Sequence, residues 1–197
     1  MRIALVTIPR SGSSFYANYL AKKYSIKNAG ELFSYGALTK KLGYEFPTSF
    51  KDSIKIWTEG NCVAKIFTRD FMHFPDSNET LDYYENLVYG TADKIYYLFR
   101  KDTLGQLKSL ITADFQSYYG PYKTFKEYNV TIPQNVVFQM LDKIILDKER
   151  LEEVYKKYPG ERVYLEDFAS QEKRYKYRSR FFDENGKEYP KNLNIVL

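Results

Sequence analysis

The chain has 197 residues, of which 44% are hydrophobic and 28% charged, and this balance predicts one globular domain spanning 1–197. It contains no apolar run of about 18 residues and no signal-peptide pattern, so we expect no transmembrane helix and a cytoplasmic location. The net charge of +5 is small and spread out, which does not favour nucleic acid as a partner. Cys62 is the only cysteine, which excludes an intramolecular disulfide.

The first predicted strand is followed by a loop of small residues and then by a helix. Arg2–Ile8 is apolar and rich in β-branched residues, Pro9–Ser14 forms the loop, and Phe15–Lys23 has helical spacing. Backbone N–H groups converge at such a helix start, where the helix dipole is positive, and serine hydroxyls add donors. Arg10 adds a permanent positive charge. The sequence therefore predicts a phosphate or sulfate site on this loop.

Further strands and helices alternate along the rest of the chain. Strands are predicted over Cys62–Phe67, Lys94–Phe99 and Arg162–Leu165, and helices over Thr103–Ala113 and Pro133–Tyr158. This alternation predicts an α/β fold with a parallel sheet flanked by helices. In such sheets, ligands bind at the carboxyl ends of the strands.

Three short strings resemble elements of the sulfotransferase family. Thr7–Phe15 is similar to the family's loop for the 5′-phosphosulfate group, usually Pro-Lys/Arg-Ser-Gly-Thr/Ser-Thr/Ser. Lys101 and Ser109 have the spacing of its 3′-phosphate element, although the family usually has Arg there and Arg100 is one residue out of register. Arg162–Phe168 is similar to its late Tyr-Glu-Asp-Leu element, whose role is mostly structural.

The resemblance implies a P-loop NTPase-like sulfotransferase fold in a single domain. It implies that 3′-phosphoadenosine 5′-phosphosulfate (PAPS) donates a sulfuryl group to a hydroxyl or amine of a small-molecule or carbohydrate acceptor. The product would be 3′-phosphoadenosine 5′-phosphate (PAP), and no metal would be required. Arg100 and Lys101 stay open alternatives for the 3′-phosphate. The implied donor-binding residues are Arg10, Ser11, Gly12, Ser13, Ser14, Phe15, Arg100, Lys101 and Ser109.

Catalytic roles follow from the same resemblance. Arg10 would lie at the bridge between phosphate and sulfate, where its charge stabilises the leaving group. Lys65 corresponds to the lysine of the family's Lys-Thr-His element, and it either contacts the sulfuryl oxygens or simply extends from a strand end into solvent. Glu31 resembles the base of the bacterial carbohydrate sulfotransferases, and His73, the only histidine, is the alternative base.

Two segments have no clear motif. The stretch 118–131 lacks periodicity and is either a lid over the acceptor or a surface connection. The basic and aromatic segment 170–197 contains an Asn-Gly hairpin signal, and it either completes a phosphate site or forms a solvated hairpin.

Two other functions remain as alternatives. One is an atypical P-loop kinase of nucleotides or small molecules, and the other is a non-catalytic module that binds nucleotides or nucleic acid. Against the kinase, the loop has one glycine and lacks the lysine of the Walker A pattern. A carboxylate that could hold Mg²⁺ at a strand end is also not obvious. The sequence indicates no oligomeric state.

Overall fold

The computed structural model describes residues 1–34, 50–73, 81–115 and 132–171, and within them five parallel strands form one sheet. Their order across the sheet is β2-β3-β1-β4-β5, and all neighbouring strands run parallel. The parallel α/β sheet predicted from the sequence is therefore confirmed. The strands are β1 (Arg2–Thr7), β2 (Lys27–Gly30), β3 (Cys62–Phe67), β4 (Lys94–Phe99) and β5 (Glu161–Tyr164).

The central position of β1 follows from its apolar sequence. Ile3–Val6 is fully buried, as expected for a continuous apolar run in a sheet that is covered on both faces. β1 pairs with β3 on one side and with β4 on the other. Because all three strands are parallel, the residues that follow Thr7, Phe67 and Phe99 meet at one edge of the sheet. That edge is where the predicted phosphate loop lies.

Helices cover both faces of the sheet. One face packs against α1 and α6, through residues such as Tyr16, Leu20 and Phe168. The opposite face packs against the other four helices, which contribute Trp57, Val88, Ile111 and Leu151 to a second cluster. The helices are α1 (Ser13–Tyr24), α2 (Phe50–Glu59), α3 (Leu81–Tyr89), α4 (Thr103–Phe115), α5 (Gln134–Lys157) and α6 (Leu165–Gln171), with a 3₁₀ turn over Asp70–His73.

Three elements, β2, α2 and α3, are not predicted from the sequence, and one element boundary differs. Strand β2 is not predicted, because Lys27–Gly30 is short, only partly buried and poor in apolar residues. Leu165 is predicted as the last residue of a strand, but it begins α6. Its side chain packs against Gly12 at the start of α1, so the contact between the two helices determines its position.

Buried ion pairs hold α5 against its neighbours. Glu85 of α3 is 1% exposed and forms ion pairs with Arg150 and Lys157 of α5. Asp147 of α5 is paired with Arg69, which follows β3. Because a buried carboxylate without its partner costs several kcal/mol, these pairs fix the position of α5.

Leu151→Ala should lower the free energy of unfolding by roughly 2–5 kcal/mol, since Leu151 is fully buried and its truncation leaves a cavity. Leu146→Ala on the same helix should change it by less than about 0.5 kcal/mol, because Leu146 is 58% exposed. Urea unfolding followed by circular dichroism measures both. Equal losses would contradict an orientation of α5 in which Leu151 faces the core and Leu146 faces solvent.

Candidate functional site

The loop between β1 and α1 contains two residues with left-handed backbone. Arg10 has a φ of 63°, and Gly12, at the N-cap of α1, has a φ of 78°. A Cβ on Gly12 would lie 2.7 Å from Leu165 Cδ1, so both the backbone conformation and the close approach of α6 favour glycine. The N–H groups of Ser13 and Ser14, which begin α1 and have no acceptor further back in the helix, lie at the carboxyl edge of the sheet. The positive end of the helix dipole lies there too.

Hydroxyl groups inside the loop bond to the loop itself. Thr7 Oγ1 and Ser11 Oγ lie 2.5 Å apart, and Ser11 Oγ donates to the Ile8 carbonyl at 2.8 Å. Ser11 and Ser13 are buried, whereas Ser14 is exposed. Of the three loop serines predicted to bind a donor, Ser14 is therefore the one whose side chain is accessible to a ligand.

A lysine from the neighbouring strand β3 reaches the start of α1. The Lys65 side chain is 8% exposed, and its ammonium donates to Ser14 Oγ at 3.2 Å. The same ammonium lies 2.5 Å from Glu31 Oε1, on a side chain that is 34% exposed. Three residues predicted separately from the sequence, Ser14, Glu31 and Lys65, are thus brought together. Together they place a positive charge, a hydroxyl and a carboxylate at one point of the sheet edge.

Asp70 is a buried carboxyl group near this cluster. Its Oδ1 accepts from Ser34 Oγ at 2.9 Å, and its Oδ2 accepts from the Phe67 N–H at 2.8 Å. Burial raises the pKa of Asp70 from 3.8 to about 7; these two hydrogen bonds oppose the rise, the Glu31 charge adds to it, and Lys65 opposes it. The sequence reasoning missed this residue and saw no carboxylate at a strand end. Its position shortly after a parallel strand was the available signal.

The other side of the loop is held by residues at the end of β4 and in α4. Arg100 Nη1 donates to the Arg10 carbonyl at 3.0 Å. Gln106 Nε2 donates to the Pro9 carbonyl at 2.7 Å. Arg10 Nε in turn donates to Ser109 Oγ at 2.9 Å. The predicted donor-binding residues Arg10, Arg100 and Ser109 are therefore close to one another.

Lys101 lies apart from Ser109, with which it was expected to bind one phosphate. Its ammonium is 2.7 and 2.8 Å from the two carboxylate oxygens of Asp167. The backbone N–H groups of Lys101 and Asp102 donate to Glu166, both at 3.1 Å. Glu166 and Asp167 thus have the structural role expected of them. Of the two alternatives for a phosphate ligand, Arg100 is the residue beside the loop.

The remaining predicted residues are only partly described. The Phe15 ring packs against Phe168 of α6, with ring centroids 5.4 Å apart. The side chain of His73, the stretch 118–131 and residues 172–197 lie outside the described residues, so the alternative base, the lid and the basic tail stay predictions. Within the described ranges, no cluster of three His, Cys, Asp or Glu side chains could hold a metal ion. No helix there is long and apolar enough to span a membrane.

Comparisons with solved structures identify the fold. A crystal structure of shikimate kinase from Bacteroides thetaiotaomicron matches with a TM-score of 0.50 and 12% identity, covering 87% of this chain and 97% of that one. Shikimate kinase from Aquifex aeolicus covers 88% and 98% at 14% identity, and deoxyadenosine kinase from M. mycoides with bound dCTP covers 84% and 91% at 16%. Both have TM-scores of 0.39. No family model and no curated protein matches the sequence.

The fold is therefore P-loop NTPase-like, as predicted, but the assignment to the sulfotransferases is wrong. The Bacteroides structure that shares this fold is a kinase and not a sulfotransferase. The physical reason is that a strand, a small-residue loop and a helix start bind phosphate in many families, so short strings do not separate them. The predicted transfer of a sulfuryl group from PAPS is wrong for the same reason, and the comparison offers no support for a carbohydrate acceptor. Binding without a metal and the roles of the individual site residues stay predictions.

The Asp70 carboxyl predicts a pH dependence of stability with a definite sign. Between pH 3.8 and about 7, Asp70 is ionised in the unfolded chain but protonated in the folded one. Its contribution to stability is therefore fully present below this range, and it falls by up to about 1.4 kcal/mol per pH unit across the range.

Urea unfolding of the wild type and Asp70→Asn at four values between pH 4 and pH 8 measures this contribution. The free energy of unfolding of the wild type, minus that of the variant, should fall as the pH rises. A difference that is flat with pH would mean that Asp70 titrates normally.

Proposed function

We propose that this protein is a kinase of small molecules. It binds the phosphate chain of a nucleoside triphosphate on the loop Pro9–Ser14 and transfers the terminal phosphoryl group to an acceptor hydroxyl. The observation that carries the proposal is the Lys65 ammonium, which β3 brings to within 3.2 Å of Ser14 Oγ at the start of α1. Nucleotide binding and transferase activity both follow from this proposal.

Lys65 supplies the lysine that the loop sequence lacks. Phosphate binding at a helix start needs N–H donors and also a cation that stabilises charge on the phosphate oxygens. The loop has no lysine, but the Lys65 side chain ends at the same place and is 8% exposed. A cation held in so little water interacts with an anion more strongly than one on the surface does. This placement answers the main objection to a kinase, the missing Walker lysine.

Glu31 is the residue we assign to the acceptor. Its carboxylate is 34% exposed and lies 2.5 Å from the Lys65 ammonium, so a substrate can reach it beside the phosphate end of the site. In the proposed step the acceptor oxygen forms a bond to the terminal phosphorus, and the bond from that phosphorus to the bridging oxygen breaks. The nucleoside diphosphate leaves, and Glu31 accepts the proton of the acceptor hydroxyl.

Mg²⁺ accompanies nucleoside triphosphates in phosphoryl transfer, and the loop suits it. Mg²⁺ takes oxygen ligands and draws many of them from phosphate and water. The Ser14 hydroxyl, which is exposed at the helix start, is the protein oxygen that would hold it. An ion held there would supply positive charge to neutralise the phosphate oxygens.

The acceptor class follows by extension from the shared fold. The Bacteroides protein with this fold is by name a kinase of shikimate, a small molecule. The oxygen-rich cluster of Ser14, Glu31 and Lys65 suits the transfer of a phosphoryl group to a hydroxyl. We therefore assign a small hydroxylated molecule as the acceptor.

Lys65→Met should weaken binding of ATP with Mg²⁺ by roughly 10- to 100-fold, because a charge-assisted contact contributes about 1.5–3 kcal/mol. Lys55→Met, at an exposed position on α2, is the control and should leave the affinity unchanged. Isothermal titration calorimetry measures both, with PAP and AMP titrated in parallel. Binding of PAP without binding of ATP with Mg²⁺ would contradict the proposed kinase activity.

Glu31→Gln should lower turnover roughly 10²- to 10⁴-fold, since it keeps the shape of the side chain but removes its ability to accept a proton. The affinity for ATP with Mg²⁺ should change far less than turnover does, because Lys65 and not Glu31 contacts the phosphate. ADP release with a panel of polyols, hydroxy acids, sugars and nucleosides identifies the acceptor first. Glu59→Gln, exposed on α2, is the matched control. Full activity of the Glu31 variant would remove Glu31 from the mechanism.

A further inference from the structure

Two side chains from one side of the loop hold two successive backbone carbonyls. Gln106 Nε2 donates to the Pro9 carbonyl at 2.7 Å, and Arg100 Nη1 donates to the Arg10 carbonyl at 3.0 Å. Both donors come from the segment that leaves β4 and forms α4. Lys148 of α5 donates to the Arg100 carbonyl at 3.0 Å and so ties this segment to the next helix. The loop is therefore held from outside by elements far from it in sequence.

The directions of these carbonyls fix the directions of the next N–H groups. In a trans peptide the C=O and the following N–H point in opposite directions, and no cis peptide is present in the described residues. With the Pro9 and Arg10 carbonyls turned toward Gln106 and Arg100, the N–H groups of Arg10 and Ser11 point away from α4. β3 and β4 flank β1 on opposite sides. The side away from α4 is therefore the side of Lys65.

This arrangement requires Arg10 to keep a left-handed backbone, with a φ of 63°. Such a conformation is unfavourable for a residue with a Cβ and persists where surrounding contacts impose it. We propose that Gln106 and Arg100 are positioning residues that hold the loop with its N–H groups turned toward the bound phosphate. That a phosphate binds to this loop rests on the proposed function, whereas the effect of the two residues on the loop conformation does not.

Gln106 is the residue at which a positioning role can be distinguished from direct contact with a ligand. It is fully buried, so it does not touch a ligand, and it carries no charge that could attract one. Its Oε1 is buried without a hydrogen-bond partner in the described part of the chain. A buried acceptor left unpaired lowers stability, so a leucine of similar size would serve packing at least as well. What glutamine provides at this position, and leucine would not, is the hydrogen bond to the Pro9 carbonyl.

Gln106→Leu tests the proposal, with Gln139→Leu, at an exposed position on α5, as the control. Three quantities are measured for each: the free energy of unfolding, amide hydrogen exchange of Arg10 and Ser11 in the ligand-free protein, and affinity for pyrophosphate. We expect the Gln106 variant to unfold no more easily than the wild type. Its loop amides should exchange roughly 3- to 10-fold faster, and its pyrophosphate affinity should fall by a similar factor.

The outcomes separate the two proposals. If amide hydrogen exchange of the loop is unchanged in the Gln106 variant, the positioning role is overturned, regardless of the pyrophosphate affinity. Faster exchange together with a lower free energy of unfolding would also overturn it, because the glutamine would then only support the core. A wild type that binds neither pyrophosphate nor ATP would contradict the kinase, while the exchange data would still decide the role of Gln106.

Discussion

The turn that carries the chain from β1 into α1 is the constraint on which the site depends. β1 is a deeply buried strand, and α1 starts directly after the turn that follows it. The first N–H groups of α1 must stay accessible if they are to bind a ligand. Left-handed backbone at Arg10 and Gly12 makes this turn possible, and Leu165 leaves no room for a side chain on Gly12. The fold thus exposes a row of donors at the carboxyl edge of the sheet, where it can bind an anion.

Charge around this turn is balanced within the site itself. The Lys65 ammonium is almost fully buried, and Glu31 lies close enough to compensate it. Asp70 adds a second carboxyl, whose pKa burial raises to about 7. A phosphate chain arriving at the loop would therefore meet a cation that is already desolvated and fixed in place, at little cost in reorganisation. The same pairing keeps an uncompensated positive charge out of the core while no ligand is bound.

Much of the fold could be predicted from the sequence, because its elements carry strong local patterns. β3, β4 and α5 have continuous apolar runs or a clear helical stripe, and their predicted bounds agree with the structure to within a residue. β2 lacks such a pattern, and only its pairing with β3 makes it a strand. Local pattern therefore predicted four of the five described strands but not the edge strand β2.

The site was predictable as a set of residues but not as a set of contacts. Glu31 and Lys65 were chosen one by one, while their ion pair depends on the order of β2 and β3 in the sheet. The spacing of Lys101 and Ser109 suggested a shared phosphate, yet Asp167 pairs with the lysine and Arg10 bonds to the serine. Gln106 was missed because a polar residue inside an amphipathic helix has no local signature. Asp70 was missed although its position shortly after β3 was a usable signal.

The central claim is that the Pro9–Ser14 loop and Lys65 together bind the phosphate chain of a nucleotide. A crystal structure with a non-hydrolysable ATP analogue and Mg²⁺ tests it most directly. The account predicts phosphate oxygens on N–H groups of the loop between Arg10 and Ser14, with Lys65 Nζ at about 2.8 Å from one of these oxygens. A nucleotide bound elsewhere, or a phosphate chain on the loop with Lys65 still directed only at Glu31, would contradict it.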